Sequence, residues 1–142
     1  MTIAAILGAK GREVVTIDAA TSLREAVALL AERRIGAVPV LDGDEVAGIF
    51  SERDVIRCVA THGDAALDRP VRDGMTAPAV SVTPDQSVLG ALSLMSRRRI
   101  RHLPVLDGGQ LVGFVSIGDL VKYRIDRIEA EAAAMRDYIT QA

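Results

Sequence analysis

The chain has 142 residues and a mass of 15.1 kDa, is 49% hydrophobic and 25% charged, and carries a formal charge of −2. One domain, or two very small ones, is the limit, and a disordered or fibrous chain is excluded. Near-neutral charge, with two Phe, two Tyr and no Trp, gives neither the field nor the stacking platforms of a general nucleic-acid binder, so nucleic acid is disfavoured as a partner.

The longest stretches free of charged residues, 86–96 and 108–118, have eleven residues each, short of the roughly 18 needed to span a bilayer. The amino terminus MTIAAILGAK lacks a basic n-region and an adequate apolar stretch. No membrane association and a cytoplasmic location are therefore expected. One cysteine, Cys58, and two histidines offer no intrachain disulfide and no metal-ligand spacing, so no metal is required.

A shift of 65 residues aligns Val15–Ile56 with Val80–Val121 without a gap, and 15 of the 42 pairs are identical. They include Ser22/Ser87, Arg34/Arg99, the block PVLDG at 39–43 and 104–108, Gly48/Gly113, Ser51/Ser116 and Asp54/Asp119. Two copies are too few for a solenoid; they suggest a pseudo-twofold pair sharing one core. The predicted boundaries are 1–62 for the first repeat with its lead-in, 63–70 for a surface linker, 71–124 for the second repeat and 125–142 for a C-terminal helix.

In chain order, Ile3–Leu7 leads into an alternating run, Val14–Asp18, that predicts a strand. Ser22 followed by Glu25 opens a helix whose apolar face carries Leu23, Ala26, Val27 and Leu30, with Arg33 and Arg34 in the last turn. Two apolar runs, Ala37–Leu41 and Val46–Phe50, flank the turn pair Asp42-Gly43 and predict a hairpin. A second helix starts at Ser51. The second copy repeats this order from Ala79–Thr83, through Ser87 and the Asp107-Gly108 turn, to Ser116. The predicted class is α/β (α+β), with β-α-β-β-α in each copy. From Asp119 to about Ile139, Val121, Ile125, Ile128, Ala132, Met135 and Ile139 recur at spacings of four and three, a long helix with a narrow apolar seam. That seam packs either on its own domain or against a second subunit.

The repeated motif Gly48–Asp54 and Gly113–Asp119 places a hydroxyl at a strand end and a carboxylate three residues on. As structure, Ser-x-x-Asp is a helix capping box. As chemistry, a helix amino terminus offers free N–H groups to an anion, and an ionised Asp can accept two hydrogen bonds from a vicinal diol such as ribose. A phosphate plus a diol describes a nucleotide.

With the hydrophobic-Pro-Val-hydrophobic-Asp-Gly hairpins, the two Gly-x-x-Ser-x-x-Asp motifs and the Met75-Thr76 and Val82–Asp85 lead into copy two, the chain resembles a tandem pair of CBS (cystathionine β-synthase) domains, or Bateman module, over about 14–60 and 79–124. The resemblance implies a regulatory module that binds adenosine compounds (AMP, ADP, ATP, NAD or S-adenosylmethionine) in two clefts between the halves, and that often dimerises. It implies that Asp54 and Asp119 take ribose hydroxyls, with Ser51 and Ser116 contacting ribose or phosphate. Adenine would lie against Val38-Pro39 in one cleft and Leu103-Pro104 in the other, flanked by Ile17 or Val82. Thr21 matches a ligand-contacting threonine, where copy two has Gln86. Arg101 and His102 stand where the family often holds phosphate, whereas copy one has Gly36 and Ala37; Arg53 could restore a charge. The clefts are therefore expected to differ.

The expected role is a ligand sensor, acting through a partner protein or its own homodimer. An enzyme is not expected: there is no Walker loop or dinucleotide-binding glycine motif, and Cys58 with His62 lacks an orienting third group. Solvated cations complementing a helix dipole are the plain reading of Arg97 and Arg98. The alternatives to a sensor are nucleic-acid binding through the face 97–102, or a structural dimer with empty clefts.

Overall fold

The computed structural model describes residues 1–11 and 13–141. Its elements run α1 (Ile3–Lys10), β1 (Ile17–Asp18), α2 (Leu23–Arg33), β2 (Ala37–Asp42), β3 (Glu45–Ser51), α3 (Glu52–His62), α4 (Val88–Arg98), β4 (His102–Asp107), β5 (Gln110–Ser116) and α5 (Ile117–Gln141). Two short 3-10 helices, Gly63–Asp68 and Val71–Asp73, lie between α3 and α4. This is the mixed α/β class and the repeated element order expected.

Each repeat is built by local rules the sequence displays. Ser22 and Ser87 cap α2 and α4 by accepting the N–H of the third residue on, Glu25 and Gly90. The hairpins pair in matching register, Val38 opposite Phe50 and Leu103 opposite Val115. In the second hairpin the two loop residues Gly108 and Gly109 both have positive φ, which the two-residue turn requires and glycine supplies without strain.

The first strand of each copy is shorter than expected. β1 keeps two residues, parallel to β2, and copy two keeps a single bridge between Val82 and Val105. The reason lies across the ladder. Pro39 and Pro104 have no N–H to give the incoming strand, so pairing cannot extend toward Val15 or Val80. The carbonyl of Pro104 still accepts from Val82 at 3.0 Å.

The single shared core is also corrected: there are two buried clusters, one for each repeat. The lead-in segments are exchanged between them. Ile3, Ile6 and Leu7 of α1 pack with Val88, Leu103, Val115 and Leu120 of copy two. Ala66, from the connection expected to run over the surface, and Val71, from the start of the expected second repeat, are fully buried with Leu23, Val38 and Phe50 of copy one. Backbone bonds fix the exchange: Ile3 N–H donates to Gln86 O at 2.9 Å, and Leu23 N–H to Arg69 O at 2.9 Å.

Gly48 and Gly113 make room for it. A Cβ on Gly48 would lie 2.6 Å from Thr76 O, and one on Gly113 would lie 2.5 Å from Leu7 Cδ2. At each hairpin the exchanged segment takes the space a side chain would fill.

Candidate functional site

Between the repeats lies a cleft of about 750 Å³. One wall comes from the β3–α3 junction (Ser51, Glu52, Arg53, Asp54, Arg57), another from the α4–β4 turn (Arg98, Arg99, Ile100, Arg101, His102), and the lead-in residues Thr76, Pro78, Ala79 and Val80 complete it. Five arginines face two carboxylates. The cleft is large enough for a nucleotide and its cations suit an anion.

The walls are positioned by matching bonds. Glu52 N–H donates to Gly36 O at 3.0 Å, and Ile117 N–H to Arg101 O at 2.8 Å. Each second helix therefore starts beside the first residues of its own hairpin. Gly36 is small enough to bring that edge to within 3.6 Å of His102 Cε1, measured from an ideal Cβ. Arg99 ends α4 in the left-handed conformation, φ 54, and its carbonyl accepts from Arg53 Nη1 at 3.4 Å.

The two aspartates sit in unlike environments. Asp54 is 2% exposed. Its Oδ2 accepts Ser51 N–H at 2.9 Å and Ser51 Oγ at 3.1 Å; its Oδ1 accepts Arg57 Nη2 at 2.8 Å and Thr76 Oγ1 at 2.9 Å. Both oxygens are already in use, so the capping box is fully realised and a diol would have to displace internal partners. Asp119 keeps 28% of its side chain exposed, and its Oδ2 accepts Ser116 N–H at 2.8 Å and Lys10 Nζ at 2.6 Å. Burial raises its pKa, but the Lys10 and Ser116 hydrogen bonds and the Lys10 charge together hold it below the usual carboxylate value.

His102 stacks on Phe114 with ring centroids 5.6 Å apart. Burial lowers its pKa below the usual 6.5; Asp119 and Glu52 oppose this, while Lys10 and Arg101 reinforce it. Burial thus works against a charged His102 at the phosphate position that the resemblance implies.

Of the residues singled out in the sequence, Ser51, Arg53, Asp54, Arg101, His102 and Ser116 are brought together on the cleft. Asp119 is not on its lining. Ile17, Val38, Val82 and Leu103 are buried in the two cores, Pro39 and Pro104 beside them are buried too, and none of the six is on the lining of this cleft. Thr21 accepts Val71 N–H through its carbonyl at 2.6 Å and also lies away from it. Sequence reasoning did not single out Thr76, Arg57 or Lys10 as functional, and it weighed Arg98 and Arg99 only as helix-end cations or as part of the alternative nucleic-acid face 97–102. For Lys10 a signal existed: the 65-residue shift that defines the repeat pairs it with Met75, directly before Thr76. Cys58 is a buried residue of α3 beside Gly74, away from the cleft. Among the described residues no group of His, Cys, Asp or Glu converges to hold a metal, and no helix is long and apolar enough to cross a membrane.

The chain is 35% identical over 120 residues to the mitochondrial CBS domain-containing protein CBSX3 of Arabidopsis thaliana, covering 81% of this chain and 58% of that protein. It thus spans little more than half of that relative. Among solved structures, the CBS-domain containing protein of Agrobacterium tumefaciens superposes with a TM-score of 0.83 at 40% identity, covering 87% of this chain and 92% of that one. A CBS domain protein from Pyrobaculum aerophilum complexed with AMP superposes at 0.74 with 30% identity, covering 84% and 89%. The CBS domain family model matches residues 10–61 and again 70–126. With two matched copies that together cover most of its length, the chain belongs to the CBS-domain family and is built as a tandem pair.

Proposed function

We propose that this protein is a regulatory module that binds a phosphate-bearing adenosine compound between its repeats and signals through its own dimer or a partner protein. The observation that carries the reading is the charge of the cleft: Arg53, Arg98, Arg99 and Arg101 line it, against Glu52 and the already paired Asp54. Such a wall favours AMP, ADP, ATP or NAD over S-adenosylmethionine, whose sulfonium it would repel. The relative from Pyrobaculum aerophilum, complexed with AMP, supports an adenine nucleotide. Ser116 and Asp119 are the proposed ribose and phosphate contacts of the second repeat, and Arg101 is the leading phosphate contact. Ligand would act by preferring one arrangement of the two repeats, since only differential affinity shifts a conformational equilibrium.

The test is mass spectrometry of small molecules released by denaturing the purified protein, followed by calorimetry with AMP, NAD and S-adenosylmethionine. Retention or binding of a phosphate-bearing adenosine compound, weakened by Arg101→Ala, is expected. Clefts that take none of these ligands, with tight, steeply salt-dependent binding to oligonucleotides, would overturn the reading in favour of the face 97–102 as a nucleic-acid surface.

A further inference from the structure

Lys10, whose repeat counterpart is Met75, makes in its own lead-in the contacts that the next residue, Thr76, makes in the other. Thr76 N–H donates to Ile49 O at 2.9 Å, and its Oγ1 donates to Asp54. In the other repeat the equivalents of Ile49 and Asp54 are Phe114 and Asp119, and Lys10 Nζ reaches both, at 2.6 Å each. One ammonium thus replaces a backbone amide and a hydroxyl. The difference matters because Thr76 is fixed by a two-bond backbone bridge to Ile49, whereas Lys10 is held there by a flexible side chain that is 38% exposed.

Ser116 N–H and Lys10 together take both lone pairs of Asp119 Oδ2, while Oδ1 has no hydrogen-bond partner among the described residues. A single hydroxyl could bind Oδ1 with Lys10 in place. A vicinal diol that puts one hydroxyl on each oxygen needs Lys10 to leave.

We infer that Lys10 is a displaceable internal plug on Asp119, and that it sets how strongly the second repeat distinguishes ribose from 2'-deoxyribose. The inference rests on the proposed ribose role of Asp119. Asp54 offers no equivalent exchange, because it is buried under four internal bonds, one of them from the bridged Thr76. Of the two carboxylates Asp119, just behind the cleft-lining Ser116, is therefore the one a ligand can engage, and displacing Lys10 from it frees the end of α1, whose other residues stay packed in the core of copy two.

The probe is the nucleoside itself, since adenosine carries no phosphate for a lysine to attract. Adenosine and 2'-deoxyadenosine are titrated by calorimetry into the wild-type protein, Lys10→Met and Asp119→Asn, with circular dichroism confirming that each variant is folded. Lys10→Met keeps the length and apolar stem of the side chain. It is expected to tighten adenosine binding about five- to tenfold, the worth of one partly exposed charge-assisted bond, and to leave 2'-deoxyadenosine nearly unchanged. Lys10→Arg, which keeps the charge, should behave as wild type or bind adenosine more weakly. Equal or weaker adenosine binding by Lys10→Met, with binding still lost in Asp119→Asn, overturns the plug and leaves the ribose site standing. Absence of nucleoside and AMP binding in both wild type and Lys10→Met overturns both.

Discussion

Thr76 Oγ1 lies 2.9 Å from Asp54 Oδ1, so the lead-in of the second repeat completes the helix cap of the first. Asp54→Ala would remove that bond, the capping box with Ser51 and the partner of Arg57 in one step, from a site that is 2% exposed. A loss of about 3 kcal/mol is expected. Asp119→Ala, at a partly exposed site with one ion pair and the capping bond from Ser116 N–H, should cost less, about 1–2 kcal/mol. Urea denaturation followed by circular dichroism checks both, and equal costs would mean that the two carboxylates do the same work.

The repeated glycines give a second comparison. An added methyl at Gly48 meets the backbone carbonyl of Thr76 and the Met75 side chain, whereas at Gly113 it meets only the Leu7 side chain. A side chain can turn aside more readily than a bridged backbone. Gly48→Ala should therefore destabilise by about 2–3 kcal/mol and Gly113→Ala by about 1–2 kcal/mol. The reverse order in thermal unfolding would contradict the placement of the lead-ins.

The histidine at 102 predicts how stability follows pH. Its folded-state pKa lies below the usual 6.5 because of burial, with Asp119 and Glu52 opposing. As pH falls through 6.5 the unfolded chain takes up the proton first, so the unfolded state binds more protons and stability declines. The decline begins near pH 7 and continues until the folded-state pKa is passed. His102→Gln should flatten the slope just below about pH 7, whatever it does to absolute stability. Asp119 acts in a separate window: its lowered pKa makes its contribution full above the usual 3.8 and lost as pH falls through the folded value. An unchanged slope in His102→Gln would place the titration elsewhere.

Helix α5 leaves Ile125 at 49%, Ile128 at 48% and Met135 at 60% exposure along one seam. A homodimer would cover it, in keeping with the proposed signalling role. Sedimentation at micromolar concentration should show a dimer that Ile125→Glu/Ile128→Glu converts to a folded monomer. A wild-type monomer, with or without AMP, would show that the seam is not a self-association surface.

Most of the architecture was legible in the sequence because its cues are local. The 65-residue register, the serines before α2 and α4, the Asp-Gly turns and the four-three seam of α5 each act within a few residues. The Ser-x-x-Asp motif likewise announced a cap, and both caps formed. What the tertiary structure decided was which copy each lead-in joins. Ile3–Leu7 is apolar, Val71 and Met75 are the apolar positions of the other lead-in, and both hairpins offer a glycine, so local pattern does not say which hairpin each joins; only packing chose the exchange. That choice separates two identical motifs. Asp54 became a buried, saturated network when Thr76 and Arg57 closed on it, while Asp119 stayed half open under Lys10. A carboxylate's role depends on which donors reach it, and here the decisive donors come from 22 and 109 positions away.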